Sequence, residues 1–306
     1  MANNQADDTV EIPGARAVGR PPVGRSRLVE VEMAAHSHVG KVRKINEDHY
    51  LVARLDRAFS PLLTNLPPGA LPPATGETAY GMLVADGIGG YSGGEVASRT
   101  AVQVLVDLVL DTPDWVMRLD SETAQEVRRR MERRLGQITD VLAERALGDA
   151  NLAGMGTTMT VACSVGADLI LTHVGDSRVY LFRQGEVRRL TRDQTLAQAL
   201  ADGGQLPQEA VATHRLRHAL TSALTADQLP MRIDFDVVRL EDGDVVLLCT
   251  DGLTEMVPES AVAEVLRRAG PVEEACRALV DLALAAGGKD NVTVVLGRYR
   301  LPPAGR

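Results

Sequence analysis

The chain has 306 residues, of which 45 % are hydrophobic, 24 % charged and only 3 % aromatic, with a formal net charge of -8. Such a composition fits a soluble globular protein with an aliphatic core, and the acidic balance argues against non-specific nucleic-acid binding. No apolar run approaches the roughly 20 residues of a membrane helix, and no charged start leads into an apolar segment, so neither a membrane span nor a secretory signal is expected.

The length allows one large domain or two smaller ones. Residues 1–27 are polar, with scattered Gly, Pro and Arg, and read as a flexible tail. Val29 to Met33 alternates apolar and polar residues, a strand signal. The stretch from about 60 to 76 contains Pro61, Pro67, Pro68, Pro72 and Pro73 and reads as a surface loop, because proline removes backbone donors. The run Tyr80 to Ala85 is a buried strand, followed by a glycine-rich turn from Gly87 to Gly94. Helices are predicted over Glu95 to Leu110 and Ser121 to Leu147, the second with an arginine-rich solvated face.

A β block follows. Strands are predicted over Thr157 to Val165, Asp168 to Val174 and Arg178 to Arg183, with a hairpin at Gln184-Gly185 into Val187 to Leu190. Residues 191–225 are more polar and suggest a small helical excursion. Strands return at Ile233 to Leu240 and Val245 to Cys249. Helices over Pro258 to Arg268 and Val272 to Ala285 precede a last strand, Val292 to Tyr299. Residues 301–306 form a short tail. Strands that come in runs, joined by hairpin-like turns, favour an α+β fold with antiparallel sheets over a doubly wound parallel sheet.

Three aspartates sit at the ends of apolar strands, each followed by Gly or Asn: Asp86-Gly87, Asp251-Gly252 and Asp290-Asn291. Taken singly, each is an ordinary turn. A fold that gathers them with Arg43, Asn46, Glu47 and Asp48 has clustered carboxylates beside one guanidinium. Carboxylates repel, so such a cluster calls for a divalent counter-ion, and an all-oxygen set suits hard ions. Cys163, Cys249 and Cys276 are far apart in apolar segments and read as buried reduced thiols, in keeping with a reducing cytosol; a catalytic or metal-binding thiol is the alternative. The six histidines show no metal-binding spacing on a helix and read as exposed or structurally satisfied. The glycine run lacks the lysine and spacing of a nucleotide loop.

Eight stretches in order complete the pattern: Gly40 to Asp48, Val84 to Gly90, Gly93 to Ser98, Gly154 to Thr158, Val174 to Arg178, Leu190 to Asp193, Thr250 to Leu253, and Asp290-Asn291. Together they resemble the metal-dependent PPM (type 2C) serine/threonine protein phosphatases in their bacterial form, over roughly residues 29–298. The resemblance implies a four-layer α-β-β-α sandwich, a phosphatase domain over residues 28–300, and a mobile flap at about 191–225. It implies two Mn2+ or Mg2+ ions. Asp86 would bridge them, Asp251 and Asp290 would hold the first, and the Gly87 carbonyl with Glu47 the second. Asp176, shared with Asp251, would hold a weaker third ion, while Asp48 would orient the site. Arg43 would hold the phosphoryl group, since a guanidinium fork matches it bidentately.

The implied reaction is attack of a dimetal-bound hydroxide on phosphoserine or phosphothreonine. It implies phosphoprotein substrates, a cognate Ser/Thr kinase, and a monomeric cytoplasmic enzyme of signal transduction that binds no nucleic acid. Three points bear on the family pattern. In the flap-like segment, His218 sits where a flap residue can approach the third metal, which bears on that site's affinity and not on the first two. His38 stands where many members have Asp. Ile88 stands where many eukaryotic members have the His thought to protonate the leaving group. Two other readings compete: a catalytically silent binding module of the same fold, and an anti-anti-sigma-type phosphatase. Intact Asp86, Asp251, Asp290 and Arg43 disfavour the first, and Arg43 disfavours the second.

Overall fold

The structure, a computed structural model, describes residues 29–59, 62, 75–89, 93–111, 121–229, 231–268 and 270–302. The expected N-terminal tail, most of the proline-rich loop and residues 303–306 lie outside the described residues.

Among the described residues, twelve strands form two antiparallel sheets. The first has the order β1-β12-β11-β7-β8, built from Glu30–His38, Val292–Arg300, Val245–Cys249, Arg178–Arg183 and Glu186–Arg189. The second runs β10-β6-β5-β3-β4-β9, from Asp234–Arg239, Asp168–Val174, Met159–Val165, Thr75–Ile88, Gly156–Thr157 and Leu224–Thr225, with β2 (Asp48–Phe59) paired to β3. Helices α1 (Gly93–Leu110) and α2 (Ser121–Gly148) cover the second sheet; α5 (Glu259–Arg267) and α6 (Val272–Ala285) cover the first. The α+β sandwich of four layers is therefore the architecture found.

The burial pattern explains why the central strands are continuous apolar runs. In β3, Leu83 and Ala85 pack under α1 and α2, while Met82 and Val84 face the opposite sheet. In β11, Val245, Leu247 and Cys249 face the helices, and Val246 and Leu248 the other sheet. A strand buried on both faces has no polar side to alternate with. The α2 stripe Met131, Leu135, Ile138 and Leu142 is buried, and its arginines pair along the helix with Glu126 and Glu132.

Several expectations are corrected. Strand β2, twelve residues long, was not foreseen: Arg54, Asp56 and Arg57 interrupt its apolar signal, and among the described residues it pairs with β3 alone. The proline-rich loop ends earlier than expected, because Thr75 and Gly76 already belong to β3. The strand expected over 157–165 breaks at Thr158, whose backbone N–H turns to the Asp86 carbonyl (2.8 Å). One helical turn, α4 (Asp251–Thr254), follows β11 directly. Cys163 is partly exposed rather than buried, whereas Cys249 and Cys276 are buried free thiols. The Gln184-Gly185 hairpin has positive φ at both residues (52° and 88°), the geometry of a type I′ turn.

Residues 191–225 hold α3 (Leu196–Asp202), a 3-10 turn over Gln208–Thr213 and β9, which pairs with β4. No described helix is long and apolar enough to cross a membrane.

Leu248 is fully buried between the sheets, whereas Leu282 on α6 is exposed. Leu248→Ala should cost about 2–5 kcal/mol, and Leu282→Ala no more than about 0.5 kcal/mol. Denaturant melts check both; equal effects would contradict the assignment of the inter-sheet core.

Candidate metal centre

Antiparallel pairing brings the acidic strand ends together. Asp48 opens β2 directly opposite Asp86 near the end of β3. In the other sheet, Cys249 at the end of β11 lies opposite Val294 near the start of β12, so Asp251 and Asp290 flank one edge. Asp176 lies in the β6–β7 turn. The loop between β1 and β2 crosses from one sheet to the other and carries Arg43 and Glu47.

All seven residues singled out from the sequence, Arg43, Glu47, Asp86, Gly87, Asp176, Asp251 and Asp290, line one cleft of about 640 Å³. Ile88, Thr158, Arg217, His218 and Glu255 line it too.

The backbone under these residues is held by hydrogen bonds. Asp48 is buried, and its Oδ2 accepts from the hydroxyls of Thr293 in β12 of the opposite sheet (2.7 Å) and of Thr250, the residue just past the end of β11 (2.9 Å). Asn291 accepts from the Glu47 N–H (2.8 Å) and donates to the carbonyls of Val39 and Ile45 (2.9 Å each), clamping the Arg43 loop. Ser98 on α1 donates to the Glu47 carbonyl (2.6 Å). The Asp86 carbonyl takes the Thr157 hydroxyl (2.9 Å) and the Thr158 N–H, and the Asp86 N–H meets the Thr158 hydroxyl (3.0 Å). The Asp176 turn is held by Gln194 on the Gly175 N–H (2.9 Å) and by Ser177 against Thr158 (3.1 Å).

Two glycines are fixed by close approach. A Cβ on Gly87 would lie 2.2 Å from the Gly94 carbonyl oxygen, and one on Gly252 would lie 1.9 Å from that of Asn291. Either substitution would push α1 or the start of β12 away from the cleft.

The electrostatics are those of crowded anions. Burial, then the charges of Asp48, Asp251, Asp176 and Asp290, push Asp86 well above the usual carboxylate range. Burial also raises Asp176, with Asp251 and Asp193 adding to it. Asp48 is pushed up to about 7, chiefly by burial, although its two threonine bonds oppose this. Glu47 is raised by burial and partly restored by Arg43. The Arg43 guanidinium bonds Asp290 Oδ2 at 2.7 Å and stays half exposed.

This geometry fits hard divalent ions. The donors are carboxylate and carbonyl oxygens. Buried Glu47 Oε1 and Asp48 Oδ1 have no hydrogen-bond partner, a condition that an ion or ordered water relieves.

The sequence reading missed Asn291 as a contributor and Glu255 as the partner of His218, which it expected only as a flap residue able to approach the third metal. Asn291 was seen only as the neighbour of Asp290; the span from it to Val39 and Glu47 gives no local signal. The imidazole of His218 faces Glu255 Oε1 (3.0 Å) and Asp251 Oδ2 (3.8 Å), and its pKa is raised by the nearby Asp251 carboxylate and the charge of Glu255. His173, in contrast, is satisfied by Thr160 and the Arg192 carbonyl.

The family model described as Protein phosphatase 2C matches residues 74–285, and the chain belongs to that family. The serine/threonine phosphatase stp of Listeria innocua is 33 % identical over 225 residues, covering 74 % of this chain and 86 % of the relative. The serine/threonine protein phosphatase PstP of Mycobacterium tuberculosis is 37 % identical over 217 residues, 70 % of this chain and 39 % of that longer protein. The solved catalytic domain of PstP in complex with two manganese ions superposes with a TM-score of 0.67 at 29 % identity, covering 89 % of this chain and 99 % of that one.

The raised carboxylates give a pH dependence with a definite sign. An unfolded Asp titrates near 4, whereas folded Asp48 titrates at about 7. Between those values the folded state binds more protons, so stability is highest below the lower value and falls as pH rises through the upper one. In EDTA, the melting temperature should fall between pH 5 and pH 8, and Mn2+ should remove most of that fall. A rise over the same range in EDTA would contradict the charge-crowded cleft.

Proposed function

We propose that this chain hydrolyses phosphoserine and phosphothreonine in phosphoproteins, with two Mn2+ or Mg2+ ions, and opposes a Ser/Thr kinase. The observation that carries the reading is the meeting of Glu47, Asp86, Asp251 and Asp290 with Arg43 in one cleft. Its named relatives are serine/threonine phosphatases, which supports the same substrate class.

In this reading Asp86 would be shared by the two ions, Asp251 and Asp290 would hold the first, and Glu47 with the Gly87 carbonyl would hold the second. Asp176 is a further candidate ligand beside Asp251. When bound, the ions supply counter-charge, acidify a water and polarise the phosphoryl group. The protein's own residues do the positioning. Asp48 keeps the two sheets at fixed spacing under the ligands, and Thr157 and Thr158 fix the Asp86 backbone. Arg43 uses one terminal nitrogen on Asp290, leaving other N–H donors of its fork for phosphoryl oxygens. Ile88 has no proton to give, so protonation of the leaving alkoxide does not fall to this position.

The test is phosphate release from a phosphothreonine peptide with Mn2+, with Mg2+ and with EDTA. Release should require metal; release in EDTA, or none with any metal from folded protein, would overturn the reading. Asp251→Asn should lower kcat by more than the roughly 10–100-fold typical of losing a supporting partner, with folding retained. Arg43→Ala should lower kcat/KM by roughly 10–100-fold, the worth of about 1.5–3 kcal/mol in charge-assisted bonds, mainly through KM. An unchanged KM would make Arg43 a structural ion pair with Asp290.

A further inference from the structure

We propose that Lys41, Lys44 and Lys289 form a basic rim on the cleft that selects phosphoprotein segments carrying Asp or Glu beside the phosphorylated residue. The inference rests on the phosphatase reading above and narrows its substrate class.

Composition gives the first observation. The chain has 33 basic residues, and only three of them are lysines. All three stand in two loops, residues 39–47 between β1 and β2 and residues 286–291 between α6 and β12. The two loops are joined through their backbones. The Lys41 N–H donates to the Gly288 carbonyl (2.7 Å), and the Asn291 side chain donates to the carbonyls of Val39 and Ile45 (2.9 Å each). Gly40 has a φ of 82°, and a Cβ there would lie 2.3 Å from the Asp290 carbonyl oxygen. Lys289 follows the residue that Lys41 bonds, so the lysines share one pinned edge with Arg43.

Charge gives the second. Lys41, Arg43, Lys44 and Lys289 are all exposed. Lys289 lines the cleft, whereas Lys41 and Lys44 stand outside its lining. Arginines elsewhere are matched with acids, as Arg183 is with Asp244 and Arg239 with Asp168. Among the described residues no lysine makes an ion pair. Like charges held on one edge repel, and together they attract a partner's anions.

The residue types assign the anions. The Arg43 fork suits a phosphoryl group, whereas a lysine ammonium on its flexible stem suits carboxylates whose positions vary between substrates. Val42 and Ile45, 66 % and 47 % exposed, alternate with these cations. Such an edge fits a peptide, which brings carboxylates and aliphatic side chains together, better than a free inorganic anion. Along the chain, the Lys44 Cα lies about 4 Å and the Lys41 Cα at most about 8 Å from that of Arg43. An extended peptide advances about 3.3 Å per residue, so the recognised acids lie roughly one to three residues from the phosphorylated one.

The experiment measures kcat and KM of the full chain with Mn2+ on phosphothreonine peptides flanked by Asp and Glu, by Ala, by Lys, or by Ala with one further phosphoserine. Each exposed charge pair contributes about two- to fivefold, so the acidic peptide should exceed the Ala peptide about tenfold in kcat/KM, mainly through KM. High salt should remove most of that preference. Lys41→Glu/Lys44→Glu should reverse the order and favour the Lys peptide. Arg239→Glu, at the end of β10 that pairs with Asp168, alters net charge away from the rim and should keep the preference. Equal kcat/KM on the acidic and Ala peptides would overturn the proposal and leave the phosphatase reading standing. So would an unchanged preference in Lys41→Glu/Lys44→Glu, or a preference for the second phosphoserine without one for Asp and Glu. No hydrolysis of any peptide would overturn both.

Discussion

The cleft depends on one buried carboxylate that joins two sheets. Asp48 belongs to β2 in one sheet, and its Oδ2 is held by Thr293 in β12 of the other and by Thr250 just past the end of β11. Thr250 precedes Asp251 by one residue, and Thr293 follows Asp290 by three. Opposite Asp48 across the ladder stands Asp86. A single side chain therefore sets the spacing between the strand ends that bear the other acids. Burial of that carboxylate beside Asp251 and Asp290 is costly, because a charge removed from water needs compensation. The site concentrates negative charge on a frame of neutral hydroxyl and amide bonds.

Arg43 is a cationic element placed by the same frame; Arg217 and Lys289 line the cleft as well. Asn291 clamps its loop from both ends of the motif, on Val39, Ile45 and Glu47. The guanidinium lies on Asp290 and remains half exposed. An exposed ion pair contributes little stability, so the pairing does not explain the clamp. Positioning a guanidinium at the cleft mouth does.

Much of this was legible in sequence, for identifiable reasons. Strands buried on both faces leave uninterrupted apolar runs, and β3, β5, β6, β11 and β12 were read that way. Strand ends marked by Asp-Gly or Asp-Asn gave the acids, and their order gave the family. What escaped reading had a weak or non-local signal. β2 carries charges along most of its length and draws its stability from pairing with β3. α4 is one turn long. Asn291 acts on residues about 250 positions away. His218 was read as a flap residue able to approach the third metal, but its contact with Glu255 was not, because no spacing in the chain announces it.

The central claim is that the cleft is a cluster of anions whose mutual repulsion is relieved by bound cations. Thermal unfolding of Asp86→Asn beside wild type at pH 8, in EDTA and in Mn2+, tests it most directly. The account predicts that Asp86→Asn is the more stable protein in EDTA, because it removes the acid most burdened by its neighbours, and that Mn2+ stabilises it far less than wild type. A variant less stable than wild type in EDTA, or stabilised equally by Mn2+, would contradict the account.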